Sequence, residues 1–557
     1  MKRTFWTFSI VCCLAFLFLA GPGSSPPLVA QDIEVTSAVP PSAEQGTINL
    51  NVAIKGNGFD RSARAQFFLT DTENPGGITV NSTKFVSRTE LIANIDVAED
   101  AVIDKKFDIV VMASRGRTGK GTELFSVTLK TTGQPTCEVF PLPDGFTPVT
   151  VLNSDPPSFT GEFGRGIAIS RVELNPDTPS DALVAAVTSR ISRKVEVFLL
   201  DPTSGELLSH IPSLVIPNAS ADQNFMTIVQ GDVNADSIPD IVVASRFVQA
   251  AYVFLGKVSG GALSYSGGIP ILPPPGQSAG YFGEALAVGD IDGDTENEVL
   301  VGAPGADVGS AKRGGKVFVF KFDAGPPHSF TFDRIIAAPS PRNGDEFGRS
   351  VAVADVTGDG VPDVAVGAIG RRVSKARNAG AVLVFPGPIL ADPASVIELS
   401  SGVKGQNLGY RTTLNDVSGD GLGDVITVAY LKSPAIVFNG DVSSVEGPSF
   451  TLTQSSTGTE GYGTNISSND INEDGLADVL VAAPNACTGV AYVYLSGPSG
   501  PLSDRYVLYP PDANGDALMY GRAVAAAPGS RIFLVGEPRR EVGGIGMAGQ
   551  VYVYSVD

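Results

Sequence analysis

Histidine is almost missing from this chain. Only His210 and His328 occur in 557 residues, far apart in sequence. No Ser/His/Asp succession and no histidine-rich metal motif can be assembled from them, so each reads as an ordinary loop or strand residue and catalysis through either is not expected. Cysteine is scarce too: Cys12 and Cys13 fall in an apolar N-terminal run, leaving Cys137 and Cys487. Positive charge is short, with 39 Lys and Arg against 59 Asp and Glu and a formal net charge of −20. That balance argues against nucleic acid and anionic membrane surfaces, both of which attract Lys and Arg. After the N-terminal run no segment is long and apolar enough to span a bilayer.

The N-terminal run has a familiar order. Lys2 and Arg3 precede an apolar stretch from Phe5 to Ala20, and a small-residue site follows with cleavage expected after Ala30. This is the layout of a secretory signal, residues 1–30. The mature chain is therefore expected to be exported, secreted or at a cell surface, with a periplasmic location as the variant. Export permits a disulfide between Cys137 and Cys487.

Glycine (64) and proline (40) are abundant, yet 43% of residues are apolar. Many short strands joined by Gly/Pro turns fit that mixture, and the length calls for two or more domains. A unit repeats about every sixty residues. Its opening pairs are Phe163-Gly164, Phe225-Met226, Phe282-Gly283, Phe347-Gly348, Leu408-Gly409, Tyr462-Gly463 and Tyr520-Gly521. Each pair leads into an apolar strand, an acidic loop in most units, a second apolar strand and a third of the form G-x-V-x-V-F. The fold class expected is all-β: a seven-bladed β-propeller over 149–557. The last unit ends at its third strand, so the strand near Val149–Leu152 is expected to complete it and close the ring. Residues 31–131 alternate apolar and polar positions in short runs and read as a small immunoglobulin-like β-sandwich, with 132–148 as a linker. Tyr281, Tyr462 and Tyr520 are expected to pack between blades.

Five of the acidic loops share one nine-residue pattern. They are Asp232–Asp240, Asp290–Glu298, Asp355–Asp363, Asp416–Asp424 and Asp470–Asp478. Oxygen-bearing side chains fall at places one, three, five and nine: Asp232, Asn234, Asp236 and Asp240; Asp290, Asp292, Asp294 and Glu298; Asp355, Thr357, Asp359 and Asp363; Asp416, Ser418, Asp420 and Asp424; Asp470, Asn472, Asp474 and Asp478. Place seven, held by Ile238, Glu296, Val361, Leu422 and Leu476, can offer a backbone carbonyl. Ca²⁺ takes six to eight oxygens in a flexible shell, whereas Mg²⁺ wants a rigid octahedron with retained waters. Carboxylates crowded in one turn repel each other unless a cation stands among them. About five Ca²⁺ ions in a mainly structural role are expected. The first and seventh units break the pattern: Asp177 and Asp181 are out of phase, and the seventh has no acidic loop, so no calcium is expected there.

The Phe-Gly pairs at 163, 282 and 347, the Gly-Ala-Pro at 302–304 and the five Asp loops together resemble the FG-GAP repeats of the integrin α-subunit propeller and its bacterial relatives. The resemblance covers roughly 149–557. It implies a seven-bladed propeller with calcium in the loops between first and second strands, opposite the usual partner face. Unlike an integrin subunit, this sequence shows no domain inserted between the second and third blades, no long leg and no membrane helix. Residues 32–130 look more loosely like an IPT/TIG-type immunoglobulin-like domain. The function expected is a secreted binding or adhesion module, monomeric, for an extracellular protein or carbohydrate. The alternatives are a calcium-dependent polysaccharide lyase, for which no base can be named, and a purely structural matrix protein.

Overall fold

The structure is a computed structural model. It describes residues 32–556 apart from 46, 48–49, 99–100, 103–104, 129–144, 156, 158–160, 176–180, 191–192, 218–224, 390–394, 430–431, 441–448, 453–460, 486–488, 498–499 and 512–518. The signal segment, Cys137, Cys487 and Asp177 lie outside the described residues. The chain divides into two compact units at Lys130/Thr131. Both are built from strands; the one helical element described is the single 3-10 turn Ser114–Gly116.

The first unit is two four-stranded sheets around one apolar core. One sheet orders Glu34–Val39, Leu50–Asn57, Glu90–Val97 and Ile78–Ser87 from edge to edge. The other orders Ser42–Glu44, Thr118–Thr128, Lys106–Met112 and Arg64–Leu69. Strict alternation explains the layering. In Glu90–Val97 every second residue (Leu91, Ala93, Ile95, Val97) points into the core, where it meets Phe67, Phe107, Ile109 and Phe125 of the opposite sheet. The unit has eight strands among its described residues, of which the short Ser42–Glu44 pairs in parallel with Ser126–Thr128.

The second unit is a propeller. Its described residues form seven four-stranded antiparallel sheets, and the first strands of successive sheets touch in order from Gly166–Glu173 round to Val524–Ala526, which touches Gly166–Glu173 again. Stacking covers both faces of each second strand. Glu298–Ala303, Asp363–Ala368, Asp424–Ala429 and Asp478–Ala483 are therefore buried at every position, and their near-continuous Val/Ala/Leu/Ile composition follows.

The Phe-Gly pairs have a local cause. Phe163, Phe282 and Phe347 are fully buried between sheets. Gly348 has φ of +89°, and a Cβ there would stand 2.5 Å from the Lys316 carbonyl oxygen, so only glycine makes this close approach.

The last sheet takes its fourth strand from the front of the unit. Phe146–Asn153 pairs antiparallel with Gln550–Val556, from Phe146 opposite Val556 to Asn153 opposite Gln550. This strand begins inside the stretch read as linker. The reason is Phe146, whose ring is buried against Tyr506 and Phe533 at centroid distances of 4.9 and 6.1 Å.

Candidate functional site

The five acidic loops each join a first strand to a second strand, and all follow one hydrogen-bond plan. The place-one carboxylate accepts backbone N–H groups from inside its own loop. Asp355 takes Gly358 N at 2.6 Å and Gly360 N at 2.9 Å. Asp416 takes Gly419 N at 2.6 Å and Gly421 N at 2.8 Å. Asp290 takes Gly293 and Thr295, Asp470 takes Asp474 and Gly475, and Asp232 takes Asn234, Asp236 and Ser237. The place-five carboxylate accepts the place-seven N–H at 2.9 Å in every loop: Asp236 from Ile238, Asp294 from Glu296, Asp359 from Val361, Asp420 from Leu422 and Asp474 from Leu476.

Place nine is the first residue of the second strand, and so it is buried. Asp240, Glu298, Asp363 and Asp424 are inaccessible to solvent and Asp478 nearly so. Burial pushes Asp240 and Asp478 up to about 7 and raises Asp363, Asp424 and Glu298 as well. Backbone amides offset the cost. One oxygen accepts the place-two N–H: Asp240 from Val233, Glu298 from Ile291, Asp363 from Val356, Asp424 from Val417 and Asp478 from Ile471. In four sheets the other oxygen accepts an N–H just past the third-strand position opposite it, from Gly256, Gly387, Gly440 or Ser496 at 2.6–2.8 Å. Each of these four acids thus staples its loop to the end of the third strand.

Neighbouring loops are also tied together. The Asp355 carbonyl accepts Gly423 N at 2.9 Å, and the Asp416 carbonyl accepts Ala477 N at 2.8 Å. The Asp232 carbonyl accepts the Asn297 side chain at 2.6 Å. All three donors stand at place eight of the following loop. The loop Asp355–Asp363 has Pro362 at that place, with no N–H to give.

At places one, three, five and nine the loops offer carboxylate, hydroxyl and amide oxygens, the donor set that suits a hard cation. Among the described residues, Asp290, Asp292 and Asp294 are the three carboxylates whose oxygens come within 4.8 Å of one another. A lysine stands among them. Lys321 Nζ lies 2.9 Å from Asp292 and 3.2 Å from Glu298, and it is hydrogen-bonded to Asp294. Arg334 approaches Asp292 at 3.2 Å. In the first sheet Asp181 pairs with Arg171 at 2.9 Å.

Sequence reasoning missed a cluster at the other ends of the first strands. Glu284 receives Arg246 at 2.7 Å and Arg349 at 2.8 Å, with Arg411 at 3.8 Å. The guanidinium groups of Arg349 and Arg411 both lie over the Tyr410 ring, at 4.5 and 4.6 Å from its centroid. Glu162 is ringed in the same way by Arg165, Arg190 and Arg539. The signal was present as a charged residue directly after the Phe-Gly pair: Arg165, Glu284 and Arg349. Tyr462 and Tyr520 are buried. Tyr281 departs from the packing role expected of it: it is 48% exposed, with Arg246 over its ring at 5.8 Å.

The histidines do not converge. His210 Nε2 is 3.1 Å from Glu196, and its ring stacks on Phe198 at 4.5 Å. His328 is exposed and hydrogen-bonds the Ala324 carbonyl at 3.2 Å.

Comparison with known proteins agrees with the repeat reading. The FG-GAP repeat family matches residues 282–320 and 347–385. Integrin alpha-8 of Gallus gallus is 26% identical over 322 residues, covering 55% of this chain and 28% of that protein. Integrin alpha-PS5 of Drosophila melanogaster is 32% identical over 160 residues, covering 26% of this chain and 15% of that protein. Human integrin alpha-IIb is 28% identical over 222 residues, 37% of this chain and 20% of that protein. The chain spans less than a third of the length of these relatives. Among solved structures, the Dos1 propeller is similar over 74% of this chain and 96% of its own, at 12% identity and a TM-score of 0.38. The exotype rhamnogalacturonan lyase YesX is similar over 94% and 90%, at 12% identity and a TM-score of 0.37. No helix among the described residues is long and apolar enough to cross a membrane.

Proposed function

We propose that this chain is an extracellular binding module: a seven-bladed propeller, preceded by an immunoglobulin-like sandwich, that recognises a protein or a carbohydrate and is stabilised by calcium. The observation that carries the reading is the common hydrogen-bond plan of the five loops. It holds the carboxylates of places one, five and nine at fixed stations in one turn after another, and such crowding is relieved by a divalent cation. The integrin alpha relatives support an extracellular setting. The ions stiffen the loops; recognition belongs to other surfaces.

Two experiments test this. Asp359→Ala is expected to lower the thermal midpoint in calcium and to leave it nearly unchanged in excess chelator, because mass action stabilises only the loaded protein. Equal losses in both conditions would remove the metal role. Purified protein, with calcium and with chelator, is then screened on arrays of glycans and extracellular matrix proteins. Retention without turnover supports a binding module. Release of unsaturated sugar products would replace it with the lyase alternative.

A further inference from the structure

Three of the differences between the loop Asp290–Glu298 and its four counterparts meet at one amine. Place three is neutral in the others (Asn234, Thr357, Ser418, Asn472) but is Asp292 here. Place nine is aspartate in the others but Glu298 here, one methylene longer. The third differs in the neighbouring strand. The pairing of Val299 with Phe320 sets Lys321 opposite Glu298, where the other sheets have Leu255, Pro386, Asn439 and Leu495. The two changed acids are groups that Lys321 touches.

The consequence is visible in the hydrogen bonds. In the other four sheets the second oxygen of place nine accepts a backbone amide from beyond the third-strand position. In this sheet the third strand continues through Lys316–Asp323, and Phe322 is paired with Phe330 of the fourth strand. Glu298 Oε1 faces the Lys321 ammonium at 3.2 Å instead. The Asp292 side chain is 7% exposed and is met by two cations, Lys321 and Arg334. The close approach of Asp290, Asp292 and Asp294 accompanies that ammonium. Three of the four side chains that would hold a divalent ion here lie within ion-pair distance of one amine, so the site does not fit calcium as the others do.

We propose that Lys321 is the resident cation of the Asp290–Glu298 turn, a side-chain ammonium standing where the other loops take a metal ion. This loop is then held without calcium, and the saturated protein binds one ion fewer than it has acidic loops. The stoichiometry rests on the calcium reading of the other four loops; the lysine clamp does not.

The test uses the full mature chain. Calcium retained after desalting is counted by plasma mass spectrometry for wild type and for Lys321→Met. Four ions in wild type and five in the variant are expected; equal counts in two folded proteins would overturn the proposal. Amide hydrogen exchange keeps it falsifiable if the variant folds poorly. In wild-type protein in excess chelator, amides 291–297 are expected to stay protected, while those of 356–361 and 417–423 exchange about tenfold faster or more than in calcium. Loosening of 291–297 together with the other loops would overturn the clamp. If neither protein retains calcium, the metal reading of the four loops fails. The clamp is then decided by Lys321→Met in chelator, where faster exchange confined to 291–297 supports it and unchanged exchange sinks it.

Discussion

The carboxylate of Glu284 lies 2.8 Å from the guanidinium of Arg349, a bond between the third sheet of the propeller and the fourth. The same carboxylate takes Arg246 of the second sheet at 2.7 Å. It is 6% exposed, so one nearly buried anion ties three consecutive sheets. Glu284→Gln leaves the arginines facing each other without their counter-ion. Removing one partner of a buried ion pair costs about 3–5 kcal/mol, and the loss is expected near the lower figure because Arg246 is partly exposed. Arg411, at 3.8 Å and partly exposed, should cost less than about 1 kcal/mol when changed to Gln. Denaturant melts of the two variants check the ranking, and equal losses would remove Glu284 as the tie.

Asp363, at place nine of its loop, is held by backbone amides of the loop and of the residue just past the third strand. Its Oδ2 accepts Val356 N at 2.7 Å and Thr357 N at 2.8 Å, and its Oδ1 accepts Gly387 N at 2.8 Å. Asp363→Asn turns an amide donor toward backbone donors. Leaving buried groups unpaired costs about 1–3 kcal/mol each. The variant should therefore melt earlier in calcium and in chelator alike, unlike Asp359→Ala. A loss confined to calcium would show that Asp363 acts only through the ion.

The contrast between these two residues also marks what could be read from sequence. The alternation of oxygen-bearing side chains lies within nine residues, so all five loops are visible in the chain itself. The staples from place nine to Gly256, Gly387, Gly440 and Ser496 are not, because they depend on the register between second and third strands. Lys321 is hidden for the same reason: only the pairing of Val299 with Phe320 sets it opposite Glu298. The β character of both units was legible because period-two alternation and buried Val/Ala runs are local signals. The place of Phe146 was harder to see. Its partners, Tyr506 and Phe533, come from the far end of the sequence, and a Pro-containing stretch before it reads as linker.

In the first unit, Asp60 predicts a pH effect. Its Oδ2 accepts Ser114 Oγ at 2.6 Å and Arg117 Nη2 at 2.7 Å, and its Oδ1 accepts Ser62 Oγ at 2.6 Å. The Ser114 hydroxyl, then that of Ser62, holds the carboxyl well below the usual range. A depressed folded-state pKa gives stability that is present above the unfolded value, about 3.9 for Asp, and is lost as pH falls through the folded one. Wild-type protein should lose stability in this unit as pH drops below about 4. Asp60→Asn should be less stable at neutral pH and show a flatter acid limb. Parallel acid limbs in the two proteins, followed by exchange or near-UV signals of residues 32–128, would exclude Asp60 as their source.

The buried tyrosine pairs are the last case, and they turn on what the other sheets do at the same place. Tyr520 Oη lies 2.7 Å from Tyr554 Oη, and Tyr462 Oη lies 2.8 Å from Tyr494 Oη. Three other sheets put phenylalanine at the opening position and pack it edge-on against the third-strand phenylalanine that stands where Tyr554 does: Phe163 on Phe198, Phe282 on Phe320 and Phe347 on Phe385. The cavity therefore accepts a hydrocarbon pair. A single Tyr520→Phe deprives the Tyr554 hydroxyl of this partner inside a fully buried site, at about 1–3 kcal/mol. Tyr520→Phe with Tyr554→Phe removes donor and acceptor together and converts the seventh sheet toward the aromatic packing of the first, third and fourth. The double variant is thus expected to be more stable than the sum of the two singles predicts, with a coupling of about 1 kcal/mol in a double-mutant cycle. Strict additivity would mean that each hydroxyl is satisfied independently and that the pair is an accident of proximity.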